Sequence, residues 1–311
     1  MIVELEEAIK ILKSGGNVAI PTETVYGLAA VFNIPHAIDR IFTLKNRPKE
    51  NPLIIHAADI SFIESKALPL PQSFYALAES FWPGPLALAI DVKKKSILES
   101  VRASLPKACF RIPDHPLALE VILQTGPLVM PSANLSGRPS PTDPKSVEED
   151  FGSIFPVLDG GACTLGLEST VLVFQEEKWH LGRLGSLSLE EIESVLGYAP
   201  IEKQFGSKPI CPGQMWRHYA PKAHLIASKI KPAGALAIIG FEGRKYPSNI
   251  PFFSLGSLKT PFIAASRLYS LLRELDRQSI KSAWIDSDFP ENGLWRTLRE
   301  RIHKAASTEV S

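Results

Sequence analysis

Apolar positions along this chain recur in two rhythms, and the switches between them mark out its elements. Leu5, Ala8, Ile9 and Leu12 fall at i, i+3, i+4 and i+7, which predicts an amphipathic helix over 4–13, stopped by Gly15-Gly16. Asn17–Ile20 then predicts a short buried strand. A helix is expected from about Pro35, with Ile38, Ile41 and Phe42 turned inward, followed by a loop over Lys45–Pro52. Apolar runs predict further strands at Leu53-Ile54-Ile55 ending at His56, at Leu86–Ile90, Cys109–Ile112, Pro127–Met130 and Val171–Phe174. Helical spacing marks 72–81, 115–124 and 189–196, the last opened by a Ser188/Glu191 capping box. Strands and helices do not alternate strictly. The first 200 or so residues therefore read as a mixed α/β domain with a twisted, partly antiparallel open sheet.

The pattern changes after residue 200. Pro209, Pro212, Gly213 and Pro221 surround Trp216, His218 and Tyr219, a more aromatic stretch than a plain spacer carries, so this segment is expected to dock on something. From 223 a second unit begins. Ala235–Ile239 predicts a strand ending at Gly240, 261–277 a helix, Ala283-Trp284-Ile285 a strand, and Leu294–Ala306 a basic amphipathic helix. That β-α-β-α order predicts a small three-layer α/β domain. The expected division is 1–205, a linker at 206–222, and 223–311.

Composition narrows the function classes. The 311 residues are 45% hydrophobic with a net charge of +1, so there is a real core and no global field toward nucleic acid or membrane. No apolar stretch nears the ~20 residues that span a bilayer, and the acidic N-terminus is wrong for a signal peptide, so a cytoplasmic protein is expected. Cys109, Cys163 and Cys211 show no C-x-x-C spacing and are expected to be buried thiols in a reducing compartment; no metal site is indicated.

Chemistry-bearing residues cluster just after the apolar strands. Pro21–Leu28 packs two hydroxyls, a carboxylate and a phenol into a few positions at a strand end, a place suited to meeting a ligand. Lys45, Arg47 and Lys49 suit a polyphosphate, although a solvated helix end would look the same. His56, a lone histidine ending an apolar strand, reads more as a satisfied core residue than as a catalyst. Arg111, amid apolar neighbours, needs a partner, either an internal acid or an anionic substrate. Pro131–Gly137, Glu168-Ser169-Thr170 and Arg183 between Gly182 and Gly185 are each weak signals that could converge on one sheet face. No P-loop, G-x-G-x-x-G, H-E-x-x-H or G-x-S-x-G motif is present.

Taken in order, Pro21–Leu28, Lys45-Asn46-Arg47-Pro48, Asn51–His56, Phe81–Pro85, Arg111-Ile112-Pro113, Pro131–Asn134, Glu168-Ser169-Thr170, Arg183 and the Pro212–Pro221 segment resemble the threonylcarbamoyl-AMP synthases of the YrdC-like type, in their long two-domain form. The resemblance covers nearly the whole chain. It implies a YrdC-like twisted mixed sheet with a large cavity, followed by a smaller Rossmann-like domain. It implies condensation of L-threonine, bicarbonate or CO2, and ATP, with Mg²⁺, to threonylcarbamoyl-AMP and pyrophosphate, feeding the machinery that transfers the threonylcarbamoyl group to tRNA. By the same resemblance Thr24, His56, Arg111, Ser132 and Ser169 would surround threonine. Lys45, Arg47, Asn51, Asn134, Thr142 and Arg183 would hold ATP, with His218 or Tyr219 closing over it, and Lys45, Arg47 and Arg111 would carry the chemistry. Asn46 stands where Gly is frequent, and Leu184 where Pro often follows the arginine. The competing reading is a module of the same fold that binds double-stranded RNA or tRNA through Lys93-Lys94-Lys95 and the helix bearing Arg296, Arg299 and Arg301; the near-neutral charge weighs against it.

Overall fold

A computed structural model describes residues 1–202 and 219–309 of the protein. The first unit is built on ten strands: β1 (Ile2–Val3), β2 (Val18–Ile20), β3 (Gly27–Val31), β4 (Ile54–His56), β5 (Leu86–Asp91), β6 (Lys107–Arg111), β7 (Leu128–Val129), β8 (Val157–Leu158), β9 (Thr170–Gln175) and β10 (Lys178–Arg183). They form one sheet in the order β1-β8-β2-β3-β7-β4-β6-β5-β9-β10, with parallel and antiparallel neighbours mixed. Eight helices accompany it: α1 (Leu5–Lys13), α2 (Pro35–Lys45), α3 (Ile60–Lys66), α4 (Gln72–Phe81), α5 (Glu99–Arg102), α6 (Pro116–Thr125), α7 (Pro144–Phe151) and α8 (Leu189–Leu196). The mixed open sheet expected from the sequence is therefore present, as is the Ser188/Glu191 capping box of α8.

Side-chain alternation separates the two faces in the sheet centre. Ile55, Phe110, Leu88 and Leu172 point into the core roofed by α2, α4 and α8. Ile54, Cys109, Ala89 and Val171 cluster on the opposite face. Because β4 and β6 pair in register, Ile54 with Cys109 and His56 with Arg111, the two polar residues continue that second face to the strand ends. The alternation that packs the core thus also aims His56 and Arg111 at one place.

The second unit adds β11 (His224–Ser228), β12 (Ile238–Gly240), β13 (Phe252–Ser254), β14 (Ser282–Asp286) and β15 (Thr308–Glu309), all parallel, in the order β13-β12-β14-β11-β15, with helices α9 (Pro261–Arg277) and α10 (Leu294–Ala305). The sequence predicts three layers; the described residues form two. Both helical crossovers step across the sheet in the same direction, so right-handedness puts α9 and α10 on one face, sharing a core with Leu225, Ile239 and Ile285. Ile238 and Trp284 on the other face are covered by Tyr246 and Ile250, not by a helix.

The two units meet through polar side chains at helical spacing. On α9, Tyr269, Arg273 and Arg277 lie at i, i+4 and i+8 and reach the first unit: Tyr269 to Glu168, Arg273 to Asp150 (2.9 Å) and the Pro139 carbonyl (2.5 Å), Arg277 to Glu149 (2.6 Å). On α10, Thr297 and Arg301 repeat the i, i+4 step toward Gly185 and Glu168. No helix among the described residues is long and apolar enough to cross a membrane.

Candidate active site

The cavity opens where Pro21–Gly27 is clasped from behind. The backbone N–H of Leu28 donates to the Pro131 carbonyl at 2.7 Å, that of Ala133 to the Tyr26 carbonyl at 2.7 Å, and that of Tyr26 to the Pro141 carbonyl at 2.9 Å. Thr22 caps the turn: its hydroxyl accepts from the N–H of Thr24 and Val25 and lies 2.8 Å from the Thr24 hydroxyl. Gly27 makes a close approach, since a Cβ there would sit 3.0 Å from that of Met130, tighter than ordinary contact. Thr24 is thereby fixed beside Pro131 and Ser132.

The lining of this cavity contains Thr24, His56, Arg111, Ser132 and Ser169 together with Lys45, Arg47, Asn51, Asn134, Arg183 and Tyr219. One space therefore gathers both groups of sequence-derived candidates. Two exceptions stand. Thr142 is buried but is not part of the lining, and its carbonyl accepts from the Cys163 N–H. His218, with Trp216 and Cys211, lies outside the described residues.

At the fully buried end, Arg111 answers its open question with an internal acid: it meets Glu23 at 2.6 Å and donates to the Thr24 hydroxyl at 3.0 Å and the Gly84 carbonyl at 3.0 Å. His56 lies beside it, and burial and then the Arg111 charge hold its pKa well below the ordinary histidine value, so the ring is neutral. Its Nδ1 lies 3.3 Å from the Ile54 carbonyl.

The other end is cationic. Lys45 was expected in a loop but is the last residue of α2, and it is buried rather than solvated. Asn46 follows with φ 51°, the left-handed conformation that favours Gly and that Asn tolerates, which accounts for Asn at this place. The Lys45 ammonium donates to the carbonyls of Ser132 (2.5 Å) and Asn134 (2.6 Å). Burial, and then Arg47, lower its pKa well below the usual lysine value. Arg47 donates to the carbonyls of Asn51 and Pro52, and burial followed by the neighbouring Arg183 pulls it down to about 9. Lys49 is exposed and pairs with Asp39, outside the site. Depressed values on neighbouring cations mean that positive charge is held together at a cost, which an anion in the cavity offsets.

Sequence reasoning left several members of the site without a role. Glu23 pairs with Arg111, Tyr26 fastens the turn by donating to the Gly161 carbonyl at 2.8 Å, and Arg138, Ser140 and Glu168 stand in the lining. The available signal for Glu168 is its place in the polar group Glu168-Ser169-Thr170 at the mouth of β9. The RNA-binding reading rests on Lys93-Lys94-Lys95 and on a basic face of the last helix, and the three arginines of that helix do not form such a face. Arg301 is fully buried, Arg296 is paired with Glu202, and Arg299 is held by the Phe289 carbonyl.

A family model for telomere recombination, covering the Sua5, YciO and YrdC group, matches residues 10–185, and a model for the C-terminal domain of threonylcarbamoyl-AMP synthase matches 187–307. The threonylcarbamoyl-AMP synthase of Bacillus subtilis is 36% identical, over 99% of this chain and 94% of its own length. That of Pyrococcus abyssi is 37% identical, over 96% and 93%. The crystal structure of P. abyssi Sua5 complexed with L-threonine superposes with a TM-score of 0.91, at 33% identity over the full length of both chains. Escherichia coli YciO, 18% identical with a TM-score of 0.54 over 60% of this chain, shares the fold of the first unit.

Proposed function

This chain belongs to the threonylcarbamoyl-AMP synthase family, and from that premise we propose that its cavity joins L-threonine, bicarbonate or CO2, and ATP into threonylcarbamoyl-AMP, releasing pyrophosphate. The observation that carries this assignment is the meeting of the Thr24, His56 and Arg111 group with the Lys45, Arg47 and Arg183 group in one cavity. The first suits a small zwitterion. Thr24, Ser132 and Ser169 supply hydroxyls, and the guanidinium of Arg111, steadied by Glu23, retains donors for the carboxylate. The second suits the phosphates, with Asn51, Asn134 and Tyr219 beside them and His218 and Thr142 assigned to the nucleotide on resemblance alone.

The chemistry follows from that division. The α-amine of threonine must lose a proton to attack CO2, and the cations that line the cavity favour the neutral amine over the ammonium. Carbamates are labile in water, so exclusion of solvent matters until the carbamate reacts. A carbamate oxygen then attacks the α-phosphorus in line, the bond to the bridging oxygen breaks, and pyrophosphate leaves. That step needs alignment and cations, not a protein nucleophile. Lys45, Arg47 and Arg183 offset the charge on the transferring and departing phosphates.

The donor set does not fit a resident metal. Among the described residues no group of three or more His, Cys, Asp or Glu could hold one, and Glu23 and Glu168 are already engaged by cations. Mg²⁺ therefore belongs to the substrate, carried on the nucleotide phosphates. The product is a reactive mixed anhydride, so its use calls for a partner that passes the threonylcarbamoyl group to tRNA, and a cytoplasmic setting holds both. We keep a division at 1–205, 206–222 and 223–311 as part of this proposal; α8 packing into the first core and β11 opening the second sheet support its outer bounds, while Tyr219 packs into the second core. Mixing the purified chain with ATP, threonine and bicarbonate is expected to release pyrophosphate in proportion to threonine. Release no greater than in a threonine-free control, from folded protein, overturns the assignment.

A further inference from the structure

Glu168 is out of place. It is the one acid among the described lining residues of a cavity that otherwise carries Lys45, Arg47, Arg111, Arg138 and Arg183. A loose carboxylate there would pair with Arg183 and repel a polyphosphate. Both its oxygens are instead occupied. Oε1 accepts from the Ser140 hydroxyl at 2.6 Å, and Oε2 accepts from the Tyr269 hydroxyl at 3.0 Å and from Arg301 Nε at 3.2 Å. Tyr269 and Arg301 belong to α9 and α10, in the second domain.

Arg301 does more than neutralise an acid. It is fully buried, donates to the Leu184 carbonyl at 2.5 Å, and lies 5.0 Å over the ring of Tyr219, which stacks on Tyr269 at 5.1 Å. One guanidinium thus joins the residue before Ser169, the residue after Arg183, and Tyr219. Burial alone would push the Glu168 carboxyl upward, but Arg301 foremost, with Arg183 and the Ser140 hydroxyl, outweighs it and holds the group below its ordinary value, so it is charged. Arg183 meanwhile donates to the Ser169 carbonyl at 2.7 Å, forms no ion pair among the described residues, and keeps a buried Nε without a hydrogen-bond partner.

We propose that Arg301 and Tyr269 are positioning residues through which the second domain holds Glu168 and Tyr219 in the cavity wall, so that Arg183 stays available to the phosphates of the nucleotide. The proposal rests on the cavity being the nucleotide site. It gives the second domain a part in the reaction without requiring it to touch substrate. The short-range logic is one of competition: whatever neutralises Glu168 decides whether Arg183 is spent on an internal acid or kept for a ligand.

Full-length Arg301→Met, Glu168→Gln/Arg301→Met and Tyr269→Phe separate the possibilities. Binding of a non-hydrolysable ATP analogue is measured by calorimetry, and KM for ATP and for threonine by pyrophosphate release. Arg301→Met is expected to weaken analogue binding and raise KM for ATP about tenfold, the scale of one lost charge partner, with KM for threonine within about twofold. Tyr269→Phe should shift the same two values about two- to threefold, as loss of one hydrogen bond does. The double variant should regain most of the lost affinity, because no stray carboxylate remains to capture Arg183; loss of mere scaffolding would not be regained. Unchanged analogue affinity in Arg301→Met, or a double variant no better than it, overturns the proposal. Where Arg301→Met does not fold, Arg301→Gln takes its place: it removes the charge but keeps a hydrogen-bond donor, and wild-type affinity for the analogue overturns the proposal. Absence of threonine-dependent turnover in the wild type would instead count against the catalytic assignment, while analogue binding still tests this one.

Discussion

His56 sits beside a cation in a dry site, and this sets how the fold responds to acid. Burial and Arg111 depress its pKa, so the folded chain keeps the ring neutral while the unfolded chain takes up a proton below about pH 6.5. The unfolded state then binds more protons, and stability falls as pH drops through that range, by at most about 1.4 kcal/mol per pH unit from this residue. Above the unfolded value the effect vanishes. Chemical denaturation of wild type and His56→Asn between pH 7 and 5 should show a shallower slope in the variant; parallel slopes would assign the acid sensitivity elsewhere, with the half-buried His115 next in line. Arg111 shows the limit of residue-level reading. The sequence left its partner open between an internal acid and a ligand, and Glu23 settles it from a place that pattern alone could not reach, 88 positions away in the chain but 2.6 Å in space.

At the scale of elements, the segment after β10 shows how a helix-sheet framework sets the site. Gly185 lies so close to the neighbouring chain that a Cβ would stand 2.2 Å from the Thr170 nitrogen and 2.5 Å from the Glu168 carbonyl oxygen. These are backbone atoms of the cavity wall, so Gly185→Ala must push that wall outward. A loss of about 1–3 kcal/mol in stability is expected, as for other overpacked sites, with a larger fall in turnover than a surface substitution gives. Denaturant melts and pyrophosphate release on the same sample check both. Long periodic elements were legible in the sequence: α1, α2, α4, α6, α8 and α9 stand within a residue or so of their expected bounds. Several short strands were legible too, β2, β4 and β7 among them, but two others were not. β3 hides in Gly27–Val31, where Ala-rich composition carries no strand signal and the partner β7 lies far along the chain. β10 was obscured by its glycine, Gly182, which marks a register shift against β9 between Leu181 and Arg183.

For the whole molecule, the junction between the domains is its least expected part. Arg273 and Asp150 form a pair with both side chains fully buried, and Asp150 also accepts from the Leu135 N–H, next to Asn134 of the cavity. Arg273→Met leaves that carboxylate with Arg138 as its one cation among the described residues, beside the Leu135 N–H, and should cost about 3 kcal/mol or more. Wild type should unfold in a single step, while the variant should separate into two, seen as non-coincident transitions by tryptophan fluorescence and by far-ultraviolet dichroism; one shared transition in both would mean that the interface couples the domains by other contacts. The sequence made two units plain and the cement between them invisible, because each ionic residue at the junction reads singly as a solvated helix face. In the cavity described above Thr24, His56 and Arg111 are buried, and so is Lys45, while Arg47 and Arg183 are half-buried. On the catalytic reading the two half-buried arginines mark the doorway, and an ordered queue is expected, the amino acid seated before the nucleotide. Product-inhibition patterns for the two substrates check that order; a random pattern would discard it.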